Sequence, residues 1–288
     1  MQIPSITILS FMQRSSIEWT DQTWNPMRGC TEISPGCDHC YARTFAERFR
    51  GVPNHPYENG FDFRLAPHKL DEPLKIPTPR MIFVNSMSDL FYCKAPTEYI
   101  RDVAEVMLTA NWHIYQVLTK RSPRLKKLLN SNDEVFRAAA EAPHIWWGVS
   151  AEDKNNGHRR IQHLQETRAH TRWVSFEPLL EDIMPFDLAG IDWAVVGGES
   201  GAGSRTMKRQ WANSIMQECR YHDIPFHFKQ WGGVHKKENG RTLNGRTYDE
   251  WPACTREPVL LIDKRTETIE KLQKKIQVWS GHTLAIAK

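Results

Sequence analysis

Three cysteines lie close together near the start of the chain, at Cys30, Cys37 and Cys40. Their spacing is C-x6-C-x2-C, and glycine and proline residues between and beside them permit tight backbone turns. Thiolates are soft ligands that suit zinc, copper(I) and iron–sulfur clusters. The segment therefore predicts a metal centre held by these three side chains.

The number of cysteines bears on which metal they hold. A structural zinc site takes four protein ligands, and His39 lies between two of the cysteines, where it is badly placed to be the fourth. A [4Fe–4S] cluster also takes four ligands, so three cysteines leave one iron open to a cofactor or substrate. The spacing thus favours a reactive iron–sulfur cluster, with a structural zinc site or unliganded thiols as alternatives.

Composition is that of an ordinary soluble globular protein. The 288 residues are 40% hydrophobic and 25% charged, and the net charge of +4 permits an anionic substrate without demanding one. The chain begins without an export signal and has no apolar run long enough to span a membrane. We therefore expect a cytoplasmic protein with no membrane partner, in which clustered cysteines bind metal rather than form disulfides.

The elements that must position the cysteines follow a regular alternation. Short, nearly continuous apolar runs predict strands buried on both faces, at residues 81–84, 113–118, 145–149, 172–176, 193–196 and 225–228. Helix-like segments lie between most of them, at residues 97–110, 123–129, 155–166 and 207–221, and we expect Thr97 to cap the first. This alternation predicts an α/β fold with a parallel sheet, either a barrel or a doubly wound fold.

Polar, charged or glycine residues follow every predicted strand, and in parallel α/β folds the active site gathers at the carboxyl ends of the strands. We expect a polar site at that edge, with residues 16–252 as the domain. Residues 1–15 carry no periodic pattern and predict an extension or disordered segment. The Asn-Gly steps in residues 233–252 predict turns of a small hairpin, and residues 253–288 predict a C-terminal tail that could be helical.

A resemblance adds to this interpretation. Three cysteines in a loop, an aromatic residue beside the last one, and a helix that starts at once resemble the radical S-adenosylmethionine enzymes. The sequence is most similar to an uncharacterised family of phage and bacterial proteins grouped near those enzymes. The resemblance covers residues 16–252 and rests on the segments Ile17-Glu18-Trp19-Thr20, Trp24-Asn25-Pro26, Gly29-Cys30-Thr31, Ser34-Pro35-Gly36-Cys37, Cys40-Tyr41-Ala42, Gly197-Gly198-Glu199-Ser200-Gly201 and Lys229-Gln230-Trp231-Gly232.

The resemblance implies a fold, a cofactor and a reaction. It implies a partial or complete (β/α) TIM-like barrel, a [4Fe–4S] cluster, and S-adenosylmethionine bound at the open iron. One electron from a donor such as flavodoxin or ferredoxin would cleave S-adenosylmethionine to a 5′-deoxyadenosyl radical, which would abstract hydrogen from an unknown substrate. The sequence departs from the common pattern in its first gap, which is six residues rather than three, and in His39, which takes the usual place of the aromatic residue.

The resemblance also implies roles for residues that follow the strands. It implies that Asn85, Ser86 and Ser88 hold the methionine amino group, and that Ser150, Glu152 and Glu177 contact the ribose or its surroundings. The glycine-rich segment at Gly197, Gly198 and Glu199 has no phosphate-loop lysine. It predicts instead a close-approach turn at the barrel opening, with Glu199 as a polar contact.

Basic residues could also line this opening. With Trp231 they could hold a nucleotide or nucleic acid through phosphate contacts and stacking; the residues are Lys120, Arg121, Arg205, Lys208, Arg209 and Lys229. The alternatives are a nucleic-acid-binding or accessory protein with a structural zinc or iron–sulfur site, and an electron-transfer protein.

Overall fold

The computed structural model describes residue 15 and residues 17–286, with side chains through residue 281. The strands are β1 (Gln22–Trp24), β2 (Met27–Arg28), β3 (Arg64–Leu65), β4 (Met81–Val84), β5 (Ile114–Thr119), β6 (Ile145–Ser150), β7 (Thr171–Phe176), β8 (Trp193–Gly197) and β9 (Phe226–Gln230). The helices are α1 (Tyr41–Glu47), α2 (Glu72–Lys75), α3 (Thr97–Thr109), α4 (Ser122–Leu129), α5 (Glu134–Glu141), α6 (Lys154–Gln165), α7 (Arg209–Tyr221), α8 (Lys236–Asn239) and α9 (Ile262–Ile286). The predicted N-terminal extension lies, apart from residue 15, outside the described residues.

Seven strands form one parallel sheet in the order β1-β4-β5-β6-β7-β8-β9, and β2 pairs with β3 in a separate antiparallel ribbon. From β4 onward, each strand pairs with the next strand along the chain. Because strand–helix–strand crossovers are right-handed, this order places the connecting helices on one face of the sheet. The other face is then free to turn inward and form the inside of a barrel.

The sheet is strongly curled, as the ring of Trp19 demonstrates. Trp19 lies 4.8 Å from Phe83 on β4 and 6.1 Å from Trp193 on β8, between ring centroids. Those strands are four steps apart, which in a flat sheet would be about 19 Å at ~4.8 Å a step. The two rings are instead no more than about 11 Å apart. The predicted α/β fold with a partial barrel is therefore confirmed.

Side chains inside this half barrel fall into two layers. The layer near the amino ends of the strands is filled by a buried cluster that includes Trp146, Trp173 and Trp193. Along each strand side chains alternate between faces. The Trp173 ring also fills the space above Gly148, where a side-chain carbon would lie 2.4 Å from the ring. Nearer the carboxyl ends, the inward residues include the smaller Ser150 and Ser175, which are paired in register. The half barrel is therefore filled near the amino ends of its strands and lined by small polar side chains at their carboxyl ends, an end called here the opening.

Most predicted elements are confirmed, and the differences have physical causes. All six predicted strands and all four predicted helices form within two residues of the expected bounds. Thr97 does not cap α3, because Pro96 occupies the cap position and Thr97 is the first helical residue. Asn244 and Gly245 form the predicted two-residue turn, whereas Gly240 ends α8 instead of turning a hairpin.

The last helix, α9, packs against the outer layer near the start of the sheet. Leu272 and Ile276 are buried there, and the Gln273 side chain donates to the Asp71 carboxylate at 2.7 Å. Lys275 pairs with Asp102 on α3 at 2.6 Å. In the part of the chain that the structure describes, no helix combines the length and apolar character needed to cross a membrane.

Candidate metal centre

The cysteine loop, residues 29–40, connects β2 to α1 at the opening. Its first residue is attached to the segment after β4, because the Gly29 N–H donates to the Met87 carbonyl oxygen at 2.9 Å. Gly29 has φ +73°, and a side-chain carbon there would lie 2.3 Å from the Phe61 carbonyl oxygen. Only glycine fits this place, so the residue before Cys30 is dictated by backbone packing.

The three cysteines are half-buried beside an apolar cluster. Cys30 and Cys40 pack against this cluster, to which Phe61 and Met87 contribute. Burial raises the pKa of the Cys30 thiol to about 12, helped by the nearby Asp89 carboxylate, and burial also raises the pKa of the Cys40 thiol. Without metal these thiols are protonated at neutral pH, so binding a metal must release their protons.

The sulfurs of the three cysteines do not all lie within 4.8 Å of one another. Within the described residues, three ligand atoms lie within 4.8 Å of one another only at Asp187, Glu218 and His222 on the surface. Sulfurs on one tetrahedral zinc ion stand about 3.8 Å apart, from a Zn–S distance of about 2.3 Å. Each cysteine of an iron–sulfur cluster binds its own iron, so its sulfurs stand further apart. The described cysteine side chains thus lack the close sulfur spacing of a formed zinc site, and an iron–sulfur cluster does not require that spacing.

Arg121, just after β5, holds the beginning of the cysteine loop. Its guanidinium donates to the Thr31 carbonyl oxygen at 2.9 Å and pairs with Asp89 at 2.9 Å. The guanidinium also lies over the Tyr92 ring, 4.9 Å from its centroid. Asp89 in turn accepts from the Thr119 hydroxyl at 2.7 Å. The ends of β4 and β5 are thus tied together and to the loop.

Glu152, just after β6, lies directly beneath the middle of the loop. It is fully buried and accepts hydrogen bonds from the Ser34 hydroxyl and, at 2.6 Å, from Arg160. Burial opposes its ionisation, but Lys120 and Arg160 outweigh that and lower the pKa of the carboxyl. A side-chain carbon at Gly36 would lie 3.0 Å from the Glu152 carboxyl carbon. Glu152 is therefore already occupied by protein partners in this structure.

Among the predicted site residues, Asn85 is distinguished by the hydrogen bonding of its side chain. It follows β4 with φ +62°, and it is 3% exposed. Neither its side-chain nitrogen nor its oxygen has a hydrogen-bond partner among the described residues. Asparagine adopts this backbone conformation more readily than other residues with side chains, but buried amides are nearly always paired. An unpaired amide at the opening is the kind of group that a ligand satisfies.

The neighbouring serines have structural partners. The Ser86 hydroxyl hydrogen-bonds the Asn25 side chain at 3.1–3.2 Å, and the Ser88 hydroxyl donates to the Met27 carbonyl oxygen at 2.9 Å. The Tyr41 hydroxyl donates to the Ser86 carbonyl oxygen at 2.6 Å. These bonds connect the segment after β4 to β2 and to α1, and they give Asn25 of the Trp-Asn-Pro motif a structural role.

Four further predicted residues lie on or just after strands β6 to β9. Alternation places buried Ser150 on the inner face of β6, and Glu177 follows β7. The Glu177 carboxylate accepts from the Lys229 ammonium on β9 at 2.6 Å. The two side chains face each other across Gly197 of β8, where a side-chain carbon would come within 3.1 Å of Glu177. The lack of a side chain at Gly197 leaves room for Glu177 beside Lys229.

The glycine-rich segment after β8 makes a close backbone contact with the segment after β9. A side-chain carbon at Gly198 would lie 2.0 Å from the Trp231 carbonyl oxygen. The Gly233 N–H donates to the Glu199 carbonyl oxygen at 2.7 Å. The predicted close-approach turn is therefore present. The Glu199 side chain, however, is 5% exposed and receives hydrogen bonds from Arg205.

Much of the predicted basic character of the opening is offset by carboxylates. Arg121 pairs with Asp89, and Arg205 pairs with Glu199. Lys229 pairs with Glu177. Lys120 lies 3.7 Å from Glu152, and Lys208 lies over the ring of Trp211 on the surface. The sequence shows the cations, but not the partners that neutralise them, because those partners lie 6 to 52 residues away.

Known proteins resemble this chain over most of its length. No curated protein matches this sequence. A solved structure, a spore photoproduct lyase mutant with bound AdoMet and dinucleoside spore photoproduct, is similar at 10% identity with a TM-score of 0.44, over 94% of this chain and 76% of that chain. Residues 14–252 match the family described as protein of unknown function (DUF5131). This match spans the whole half barrel and the cysteine loop, and the chain belongs to that family.

Proposed function

We propose that this protein is a radical S-adenosylmethionine enzyme in which Cys30, Cys37 and Cys40 hold a [4Fe–4S] cluster. The observation that carries the proposal is a loop of three half-buried thiols, braced by strand-end side chains, at the opening of a parallel half barrel. Of the remaining cysteines, Cys219 is buried in the core, and Cys93 and Cys254 are exposed. Three thiolates leave one iron for S-adenosylmethionine.

When bound, the reduced cluster would supply the electron that cleaves S-adenosylmethionine to methionine and a 5′-deoxyadenosyl radical. The chain's own residues would bind and orient S-adenosylmethionine and would exclude water from it. Asn85, with both side-chain atoms unpaired, is the first candidate to bind the methionine amino group. Ser150, on the inner face two strands away, is a candidate for the ribose hydroxyls.

The apolar surroundings of the loop support a cluster of this kind. Phe61, Ala42 and Ala46 are buried next to Cys30 and Cys40, and Met87 packs on the same group. A shell of low polarity around a cluster limits solvent access and sets its potential. The electron would come from a small donor protein such as flavodoxin or ferredoxin. The substrate we propose is a nucleotide or nucleic acid, which the mildly basic chain would tolerate.

The test is S-adenosylmethionine cleavage by the anaerobically reconstituted protein. The protein is loaded with iron and sulfide, reduced with dithionite and incubated with S-adenosylmethionine, and 5′-deoxyadenosine is measured by mass spectrometry. We expect 5′-deoxyadenosine from the wild type and from Cys93→Ala, in which an exposed cysteine is removed. We expect none from Cys37→Ala.

Two results would count against this function. A colourless protein that purifies with one zinc ion and gains no iron would indicate a structural metal site. A brown protein that cycles between oxidation states without releasing 5′-deoxyadenosine would indicate electron transfer alone.

A further inference from the structure

Arg205 reaches from the segment after β8 to the turn that carries Cys37. Its Nη2 donates to the Pro35 carbonyl oxygen at 2.8 Å, and its Nη1 lies 3.2 Å from the Asp38 carboxylate. Pro35 begins the short 3-10 helix that ends at Cys37. The guanidinium thus holds both ends of the turn.

Glu199 fixes the other side of Arg205. Its carboxylate accepts from the Arg205 backbone N–H at 2.9 Å, from Nε at 2.9 Å and from Nη2 at 2.5 Å. The Glu199 carboxylate is shielded from water at 5% exposure, whereas the Arg205 side chain is 35% exposed, so these charge-assisted hydrogen bonds are shielded on the carboxylate side only. Burial of Glu199 opposes its ionisation, but the hydrogen bonds from Arg205 outweigh this and lower the pKa of the carboxyl.

The segment that carries this pair is itself rigidly placed. Glu199 follows Gly198, whose backbone lies against the Trp231 carbonyl oxygen, and its own carbonyl oxygen accepts from Gly233. Gly203 adopts φ +75°, and a side-chain carbon there would lie 3.1 Å from the His39 ring. A glycine at this position therefore lets the segment lie close to the cysteine loop.

We infer that Arg205, held by Glu199, is a positioning residue that keeps Cys37 in its ligand position before any cofactor is bound. The segment from Gly197 to Arg205 then serves to brace the loop, in addition to forming a backbone turn. Arginine suits this task because its planar fork donates to several acceptors in fixed directions, which lysine cannot do. The inference rests on the proposed function only in treating residues 29–40 as the ligand loop.

The test is the rate at which Cys37 is alkylated in the metal-free protein. The reduced, chelator-treated chain is pulsed anaerobically with iodoacetamide, and each cysteine peptide is quantified by mass spectrometry. We expect Arg205→Ala to raise the rate at Cys37 about tenfold. Glu199→Gln, which keeps the shape and removes the charge, should raise it less, and Arg205→Lys should restore part of the protection. Arg220→Ala, an exposed arginine at the far end of α7, is the matched control and should change nothing.

The other cysteines make the result decisive. Exposed Cys93 reports the intrinsic alkylation rate, and buried Cys219 is alkylated only when the fold opens. An unchanged rate at Cys37 in both Arg205→Ala and Glu199→Gln would overturn the inference. An equal rise at Cys219 in both variants would also overturn it, because the pair would then stabilise the whole fold rather than the loop.

This test does not require bound iron. If the wild type holds no iron, the proposed function fails while the alkylation comparison still decides the role of Arg205. If the wild type binds iron, a second readout follows: Arg205→Ala should lose its iron to a chelator several-fold faster than Arg220→Ala.

Discussion

Arg121 and Asp89 form a buried ion pair, 2.9 Å apart, whose side chains are only 11% and 8% exposed. The same guanidinium donates to the Thr31 carbonyl oxygen, next to Cys30. The pair therefore joins two neighbouring strand ends and extends that support to the first ligand of the loop. Breaking it should affect the fold and the metal centre together.

Replacing Arg121 with methionine should lower the free energy of unfolding by about 3 kcal/mol, because Asp89 would remain as an unpaired buried charge. Restoring neutrality with Asp89→Asn in the same chain should recover part of that loss. Urea denaturation of the two single variants and the double variant measures the coupling. Simple additivity of the two single losses would show that the ion pair is not an energetic unit.

Iron content should separate two classes of cysteine. Alanine at Cys30, Cys37 or Cys40 should reduce bound iron from about four per chain to less than one, because two thiolates hold a cluster poorly. Alanine at Cys93 or Cys254 should leave iron unchanged. Iron and sulfide analysis with the absorbance near 400 nm provides the measurement. Loss of iron from Cys93→Ala would mean that four cysteines bind the cluster, leaving no open iron.

Glycine substitutions test the contact between the segments after β8 and β9. Gly198→Ala should destabilise the fold by about 3 kcal/mol, since the new methyl group would overlap the Trp231 carbonyl oxygen. Gly281→Ala, in helix α9, should instead stabilise by about 0.5–1 kcal/mol, because no atom of the described residues lies within 4 Å of the added carbon. Thermal unfolding of both variants checks the opposite signs. If the two substitutions changed stability equally, the segments after β8 and β9 would be free to move apart and accommodate the methyl group.

Buried histidines should make the protein sensitive to acid. Burial lowers the pKa of both His113 and His227 to about 4, whereas the unfolded chain binds these protons near pH 6.5. Between those values the unfolded state holds more protons, so stability falls as pH drops from 6.5 to 4. At pH 5 each histidine should lower the free energy of unfolding by about 2 kcal/mol relative to pH 8.

Urea denaturation at pH 8, 6 and 5 measures this loss. His113→Gln provides the comparison, because glutamine does not titrate and should flatten part of the profile. It should also lower stability at pH 8, since the His113 ring bonds the Pro73 carbonyl oxygen and the Arg80 N–H, both at 3.1 Å. A wild-type profile that is flat from pH 8 to pH 5 would contradict the prediction.

Strands and helices could be predicted because burial on both sheet faces leaves continuous apolar runs, as in β6. The first strand, β1, was not predicted, because Gln22, Thr23 and Trp24 are too few and too mixed to show a pattern. The alternation of strands and helices left a barrel and a doubly wound fold open, and only the resemblance favoured an inward curl. The curl depends on contacts such as Trp19 with Trp193, which lie 174 positions apart in the sequence.

The cysteine loop could be located from spacing alone, but the side chains that hold it could not. Glu152 was predicted to contact a ligand, and in the structure it bonds Ser34, 118 residues earlier. Glu199 was predicted as a polar contact, and it bonds Arg205, which reaches Pro35 170 residues earlier. A carboxylate after a strand has the same appearance in sequence whether it faces a cofactor or a distant arginine.

The position of α9 has a consequence for how the chain is made. Its side chains Gln273 and Lys275 bond Asp71 and Asp102, which are synthesised about 170 to 200 residues earlier. During synthesis, the first third of the protein therefore emerges with this part of its surface uncovered, and it stays so until α9 has been made. The surface on which Leu272 and Ile276 are buried in the folded protein is exposed to solvent throughout that interval.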